Sequence, residues 1–511
     1  MEDDDDMATA DITAAPAPQE TGSLRKGTLH LWESLVIAVS SVAPAYSIAT
    51  ALGVLAAAVG VAGPAAIWVG FIPVTCIAVA FYYLNREDQD CGASYAWVGR
   101  ALNPSLGFMS GWVVIIADIF FMSFAAPQCG QATLQLFNDW GIKDLGAISL
   151  SPDNQVAAVA IGVVWLSIVT FLIMVGIQLA AIFQTVLLVL EYFIVLAFAL
   201  LGFFKGGGEP FSLSWFDPRT FGSLTALAGG VVIAVFFYWG WDTAANLNEE
   251  SEDASENPGR AGLLGMVALL VLFIISSVSI QMVLTQKEIQ DHGSTALTYF
   301  ANKLVGPGWG SLAALALVSS TVAVLQTTLL PTARTAFSMG RDGVLGRVWA
   351  IVHPAWKTPW IGTLIFGIIA GLIAIVSQPL GALNAVITAG VTSIGLLVAF
   401  YYGLTGIACT VSYRHKLTRS VKDLFLVGIV PVFGAVTLYV LAIYLLYQDW
   451  TSTDKLALDA SNGRFQVLVP VGVLVSGLIA LVWSSLRRRY FHKSLESAAS
   501  PMPSDARPTA G

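Results

Sequence analysis

The chain has 511 residues, of which 56% are hydrophobic and 11% charged, with a mean hydropathy of +0.74. A soluble domain carries about 25% charged residues, so 25 basic and 33 acidic side chains cannot cover a soluble chain this long. A cytosolic enzyme, a nucleic-acid binder and a disordered chain are excluded. The composition predicts an all-α polytopic membrane protein whose surroundings are the lipid bilayer.

Residues 1–28 are polar and acidic, unlike a cleaved signal peptide, and read as a disordered cytoplasmic tail. A spanning helix needs about 20 mostly apolar residues. Such runs fall at 31–58, 63–84, 105–136, 155–176, 178–204, 220–247, 261–284, 308–333, 359–378, 381–410, 424–447 and 466–486, which makes twelve. Within 155–204 Glu191 is the sole charge, and Gly176-Ile177-Gln178 marks the corner between two crossings. The loop 85–104 contains an amphipathic stretch, Ala93 to Leu102, expected at the inner membrane surface. The connection 285–304 is long enough for a short outside helix. Residues 411–490 carry helices 11 and 12, and 491–511 read as a second disordered cytoplasmic tail. Lys and Arg are retained on the cytoplasmic side, and placing both termini inside puts 18 of the 25 basic residues there.

Two spans hold helix-breaking sequence at their centres. In the first, Ser40-Ser41-Val42-Ala43-Pro44-Ala45-Tyr46-Ser47 places a proline at mid-depth. Pro44 lacks an N–H, clashes with the preceding turn and suits the first position of a new half-helix. In the sixth, Phe237-Tyr238-Trp239-Gly240-Trp241-Asp242 sets a glycine among aromatics, and Asp242 is positioned to cap a half-helix beginning at Thr243. Interrupted backbone in a membrane is tolerated only where it is buried in protein or lines a wet cavity. Matched interruptions in two halves point to a transporter's central site. The spacing suits two five-helix repeats of opposite orientation, 29–204 and 220–410, followed by two further helices.

Three stretches carry a family resemblance. They are Cys91-Gly92-Ala93-Ser94-Tyr95-Ala96-Trp97 through Asn103-Pro104 to Gly107-Phe108 and Gly111-Trp112, then Phe237 to Asp242 with Asn248-Glu249-Glu250 and Asn257-Pro258-Gly259-Arg260. The third runs from Arg334 through Ser338-Met339-Gly340-Arg341-Asp342-Gly343 to His353-Pro354 and Thr358-Pro359. In this order they resemble the amino acid–polyamine–organocation permeases from about residue 30 to 410. The resemblance implies the five-plus-five inverted-repeat fold of bacterial sodium-coupled amino acid transporters, alternating access, and a substrate held between broken helices 1 and 6. Ala43-Pro44-Ala45 stands where many relatives carry a Gly-rich break, and 178–204 lacks the lysine some proton-coupled relatives use.

A half-helix N-terminus presents unpaired N–H groups and about half a positive charge, which suits a carboxylate. The expected carboxylate site is the backbone around Ala45 and Tyr46, helped by the Ser40 and Ser41 hydroxyls. The amine is expected on carbonyls of Phe237, Tyr238 and Trp239, with Tyr46, Tyr238, Trp239 and Trp241 forming the side-chain pocket. Asp118, Glu191 and Asp242 lie deep and have no basic partner at mid-depth. They can carry coupling protons, receive a second amine, or bond neighbouring hydroxyls. Glu33 and Arg334, near span ends, are expected to snorkel or pair. Thr327 and Thr328, with carbonyls of Val42 and Ala43, form an alternative sodium site. No phosphate-binding loop or zinc-ligand spacing is present, so neither enzyme chemistry nor a cofactor beyond a coupling H+ or Na+ is expected. The sequence reads as a secondary transporter importing an amino acid or related amine, as a monomer or homodimer. Polyamine or basic amino acid uptake is an alternative, and a cation channel or non-transporting sensor is another.

Overall fold

The apolar runs form long helices that pack side by side in the computed structural model, which describes residues 23–487 except Ala147. In chain order these are α1 (Leu31–Ser40), α2 (Pro44–Val59), α3 (Gly63–Glu87), α4 (Ser94–Ala101), α5 (Pro104–Asp139), α6 (Gln155–Val175), α7 (Ile177–Gly202) and α8 (Leu224–Phe237). A 3₁₀ segment (Trp241–Glu250) continues α8 past a break. Then come α9 (Asn257–Val283), α10 (Gln286–His292), α11 (Ala296–Val305), α12 (Pro307–Arg341), α13 (Trp360–Ser377) and α14 (Gly381–Ser412). α15 (Val421–Asp423) leads through a π turn (Leu424–Ile429) into α16 (Val430–Thr451), and α17 (Gly463–Arg487) follows.

Local chemistry sets many starts. Asn103 accepts from the Ser105 N–H with Pro104 at the first helical position, Asn154 accepts from Ala157, and Ser223 accepts from Ala226. Glu33 joins a capping box with His30 at the start of α1, and Thr285 makes another with Glu288 at α10.

Among the described residues, eleven helical stretches are long and apolar enough to cross a membrane. The first, Leu31–Glu87, has 57 residues and contains both of the first two predicted spans, divided at Gly60–Ala62. A bilayer core needs only about 20 helical residues. Large apolar side chains face outward along α7 and α16, among them Ile182, Val186, Phe193, Val436, Val440 and Ile443. In water such a band would promote aggregation, whereas in lipid it carries no such penalty.

Two helices form the spine. α5 and α12 run along one another, α5 also packs on α14 and α12 on α7, and α1 packs on α9 while α3 packs on α8. At the α5–α6 crossing, a Cβ on Gly130 or Gly162 would lie 1.8 Å and 1.9 Å from the facing carbonyls of Ala158 and Ala126. Only glycine permits that approach.

Ala93 to Leu102 does form a helix, α4, whose Tyr95, Trp97 and Val98 are buried against the bundle, and Trp97 donates to the Asp88 carbonyl. Its aromatic faces find apolar partners such as Phe81 inside the bundle. The expected tail at 1–28 lies outside the described residues except for 23–28, and those are ordered. Leu24 is buried beside Cys91 and Phe337, and the Thr28 and Leu29 amides donate to the Glu250 carbonyl. Of the expected tail 491–511, no residue is among those described. The 285–304 connection contains two short helices, α10 and α11.

Candidate substrate-binding site

Both expected breaks are present, and they touch. α1 ends at Ser40, Ala43 takes a left-handed conformation (φ 49°), and Pro44 opens α2. That conformation is costly for a residue with a Cβ. α8 ends at Phe237, and Gly240 at φ 114° turns the chain into the Trp241–Glu250 segment. A Cβ on Gly240 would lie 2.5 Å from the Ser41 carbonyl oxygen, so glycine is required by both backbone angle and space.

Between the breaks lies a small cavity of about 20 Å³, room for about one water. Ser41, Trp239, Gly240, Asp242 and Thr243 wall it from the broken helices, Val114 and Asp118 from α5, Thr327, Thr328 and Pro331 from α12, and Tyr401 from α14. Among the described residues, no Lys, Arg or His lines it. Asp242 accepts from the Tyr401 hydroxyl at 3.0 Å and the Tyr402 hydroxyl at 2.9 Å. Asp118 accepts from the Thr332 hydroxyl at 2.8 Å, and Trp239 Nε1 donates to Tyr401 at 3.1 Å. Pro331 cannot donate to the Thr327 carbonyl one turn earlier, and the Thr243 hydroxyl approaches that carbonyl at 3.4 Å instead.

Several expected roles change. The α2 amides assigned to a substrate carboxylate already have partners: the Ala45 N–H donates to Glu191 Oε1 at 2.6 Å and the Tyr46 N–H to Ser320 Oγ at 3.1 Å. The Ser40 and Ser41 hydroxyls donate back to Val36 and Ile37 carbonyls in α1, as hydroxyls in helices commonly do. Asp242 is not a helix cap. It lies inside the 3₁₀ segment, and its carboxylate points to the tyrosines, leaving Gly240 at the cap position.

The aromatic set also divides. Trp239 lines the cavity, but Tyr238 donates to the Ile67 carbonyl and packs on Phe71 and Phe273. Phe237 packs on Phe273, and Trp241 on Phe81 and Tyr402. Tyr46 donates to Gln128 and meets Phe121 edge-on. In the alternative sodium set, the Ser47 hydroxyl and amide donate to the Val42 and Ala43 carbonyls, and the Thr327 hydroxyl donates to Ala323. Thr327 and Thr328 line the cavity; Val42 and Ala43 do not.

Sequence reasoning missed Ser320, Thr332, Tyr401 and Tyr402, the residues that hold the three deep carboxylates. A signal existed. Ser320, Thr327, Thr328 and Thr332 recur at helical spacing in a hydroxyl-rich stretch of α12 that also holds Ser319, Thr321 and Gln326, and Tyr401-Tyr402 interrupts the apolar run 381–410.

A second polar cluster closes the end of the bundle at the foot of α12. Arg334 and Glu250, both 0% exposed, share two hydrogen bonds of 3.0 and 3.2 Å. Arg341 pairs with Glu249 and Asp90, and Arg100 pairs with Asp88 and Asp90. Burial opposes the Asp90 charge, but Arg100 and Arg341 outweigh it and hold the carboxyl below its usual range.

A membrane-spanning bundle with two helices interrupted around a polar cavity belongs to the architecture of membrane carriers. The model of one such family, described as amino acid permease, matches residues 29–458, and the chain belongs to that family within the amino acid–polyamine–organocation superfamily. It is a family of permeases rather than enzymes. The chain is 26% identical over 389 residues to the low-affinity putrescine importer PlaP of Escherichia coli, covering 73% of this chain and 79% of that protein. It is 27% identical over 383 residues to a methylthioribose transporter of Bacillus subtilis, covering 73% and 78%. An arginine/ornithine antiporter of Lactococcus lactis is 24% identical over 289 residues, covering 52% and 53%.

Proposed function

We propose that this permease takes up a small organic amine, with a diamine of the putrescine type as the best-fitting substrate, by alternating access. The observation that carries the reading is the cavity itself: Asp118 and Asp242 line one space with no cation among its walls. Two carboxylates at this depth are costly alone and complement an ammonium group at each end of a short chain. The zwitterion reading loses its main support because Glu191 and Ser320 occupy the amides meant for an α-carboxylate. The relatedness to a putrescine importer agrees with this choice.

Asp118 and Asp242 would not return across the membrane as bare charges. The empty carrier returns with protons on them or with another amine in the cavity, so uptake is coupled to proton movement or to exchange. Thr327 and Thr328 supply hydroxyl oxygens to the cavity but no further charge. In this reading the chain crosses twelve times, with the Leu31–Glu87 stretch folded at Gly60–Ala62, and both termini lie on the cytoplasmic side, at the end of the bundle that holds the Arg334–Glu250 pair. Two inverted repeats account for the paired packing of α5 on α14 and α12 on α7, and of α1 on α9 and α3 on α8.

Counterflow of labelled putrescine in proteoliposomes tests the reading. Saturable uptake stimulated by unlabelled putrescine inside the vesicles is expected. Neutral amino acids exchanging as well as putrescine would overturn the substrate, and uptake without trans-stimulation would indicate a pore.

A further inference from the structure

We propose that Glu191 is a specificity-determining residue whose carboxylate fills the anion-binding end of α2, so that the carrier refuses substrates bearing an α-carboxylate and accepts their decarboxylated counterparts. The inference rests on the amine reading above and explains how the same fold separates a diamine from the basic amino acid of equal length.

The N-terminus of a 16-residue helix carries about half a positive charge and presents amides to an anion. In α2 these amides are all engaged. Pro44 has none, Ala45 donates to Glu191 Oε1 at 2.6 Å, Tyr46 donates to Ser320 Oγ at 3.1 Å, and Ser47 donates to the Ala43 carbonyl at 2.8 Å. The Ser320 hydroxyl donates to the same Glu191 Oε1 at 2.8 Å. Glu191 is 0% exposed, forms no ion pair among the described residues, and its Oε2 has no hydrogen-bond partner among them. A carboxylate buried in this way is costly unless something compensates it, and the half-helix end is what compensates it here.

The arrangement is a built-in carboxylate in the place a substrate's would take. Ser41 walls the cavity and lies four residues before Ala45, which bounds their separation at ~14 Å. An amino acid whose amine sat between Asp118 and Asp242 would bring its carboxylate toward amides already occupied and toward a like charge. A diamine brings none.

The test uses the full-length protein in proteoliposomes, with labelled putrescine competed by matched pairs: putrescine against ornithine, and cadaverine against lysine. Each pair differs only in the carboxylate. In the unmodified protein the diamine is expected to compete on the order of tenfold better than its amino acid. Glu191→Ala should bring each pair to within about twofold, and acetate should raise the unfolding temperature of this variant alone. Glu191→Gln, which keeps an acceptor oxygen for the Ala45 amide, should retain the discrimination. A purely structural cap would alter stability without moving the ratio, so an unchanged ratio in Glu191→Ala overturns the proposal. Ornithine competing equally in the unmodified protein overturns it without any variant. If no diamine competes at all, the amine reading itself fails, and this inference falls with it.

Discussion

At the foot of α12 Glu250 and Arg334 are both 0% exposed and bind each other twice, whereas in the cavity Asp118 and Asp242 are held by Thr332, Tyr401 and Tyr402 hydroxyls. Both sets are buried carboxylates, but a guanidinium satisfies geometry and charge together, and a hydroxyl satisfies geometry alone. The first set is electrically closed and serves to fasten helix ends. The second keeps its demand for a cation, which is what the proposed amine substrate would meet. Glu191 stands between these cases, held by the Ala45 backbone amide and the Ser320 hydroxyl.

The sharpest way to break the comparison is to unpair the fastened set. Arg334→Met leaves Glu250 buried without its partner and should cost about 3–5 kcal/mol of stability, read from denaturant unfolding in detergent. The double variant Arg334→Met/Glu250→Leu should recover most of that loss, because no unpaired charge remains. Asp242→Asn should behave differently: the tyrosine hydroxyls can still bond an amide, so the protein folds while putrescine affinity falls ~10–100-fold in equilibrium binding. Asp118→Asn is expected to act in the same direction.

A smaller effect is expected from Tyr402→Phe, which strips one hydroxyl from Asp242 and leaves the other in place. Affinity should fall by about tenfold or less, and an unchanged affinity would separate the Asp242 geometry from binding. The smallest effect is at the far end of the molecule. Glu288 is pushed down to about 2, first by the hydrogen bond from Lys303 and next by the Thr285 amide. A depressed carboxyl contributes stability that is present above its unfolded value of about 4.5 and is lost as pH falls toward 2. Acid should therefore loosen the α10–α11 connection in that window, read as faster amide hydrogen exchange there, and Lys303→Met should remove most of the pH dependence.

The places where the chain departs from helix were legible because they are local. Pro44 cannot donate and Gly240 alone tolerates its backbone angle, so both breaks stand in the sequence without reference to any neighbour. The same holds for the apolar runs, whose length and composition call for lipid. The partners of each polar group were not legible. Glu191 meets Ala45 across 146 residues and Asp242 meets Tyr402 across 160, and no periodicity in one segment reports what another segment presents to it. The sequence by itself therefore determined an all-α membrane bundle, two interrupted helices and three deep acids. Only the tertiary structure decided that one acid meets a helix end while two line a shared cavity, because a hydrogen bond depends on which distant chain arrives within about 3 Å.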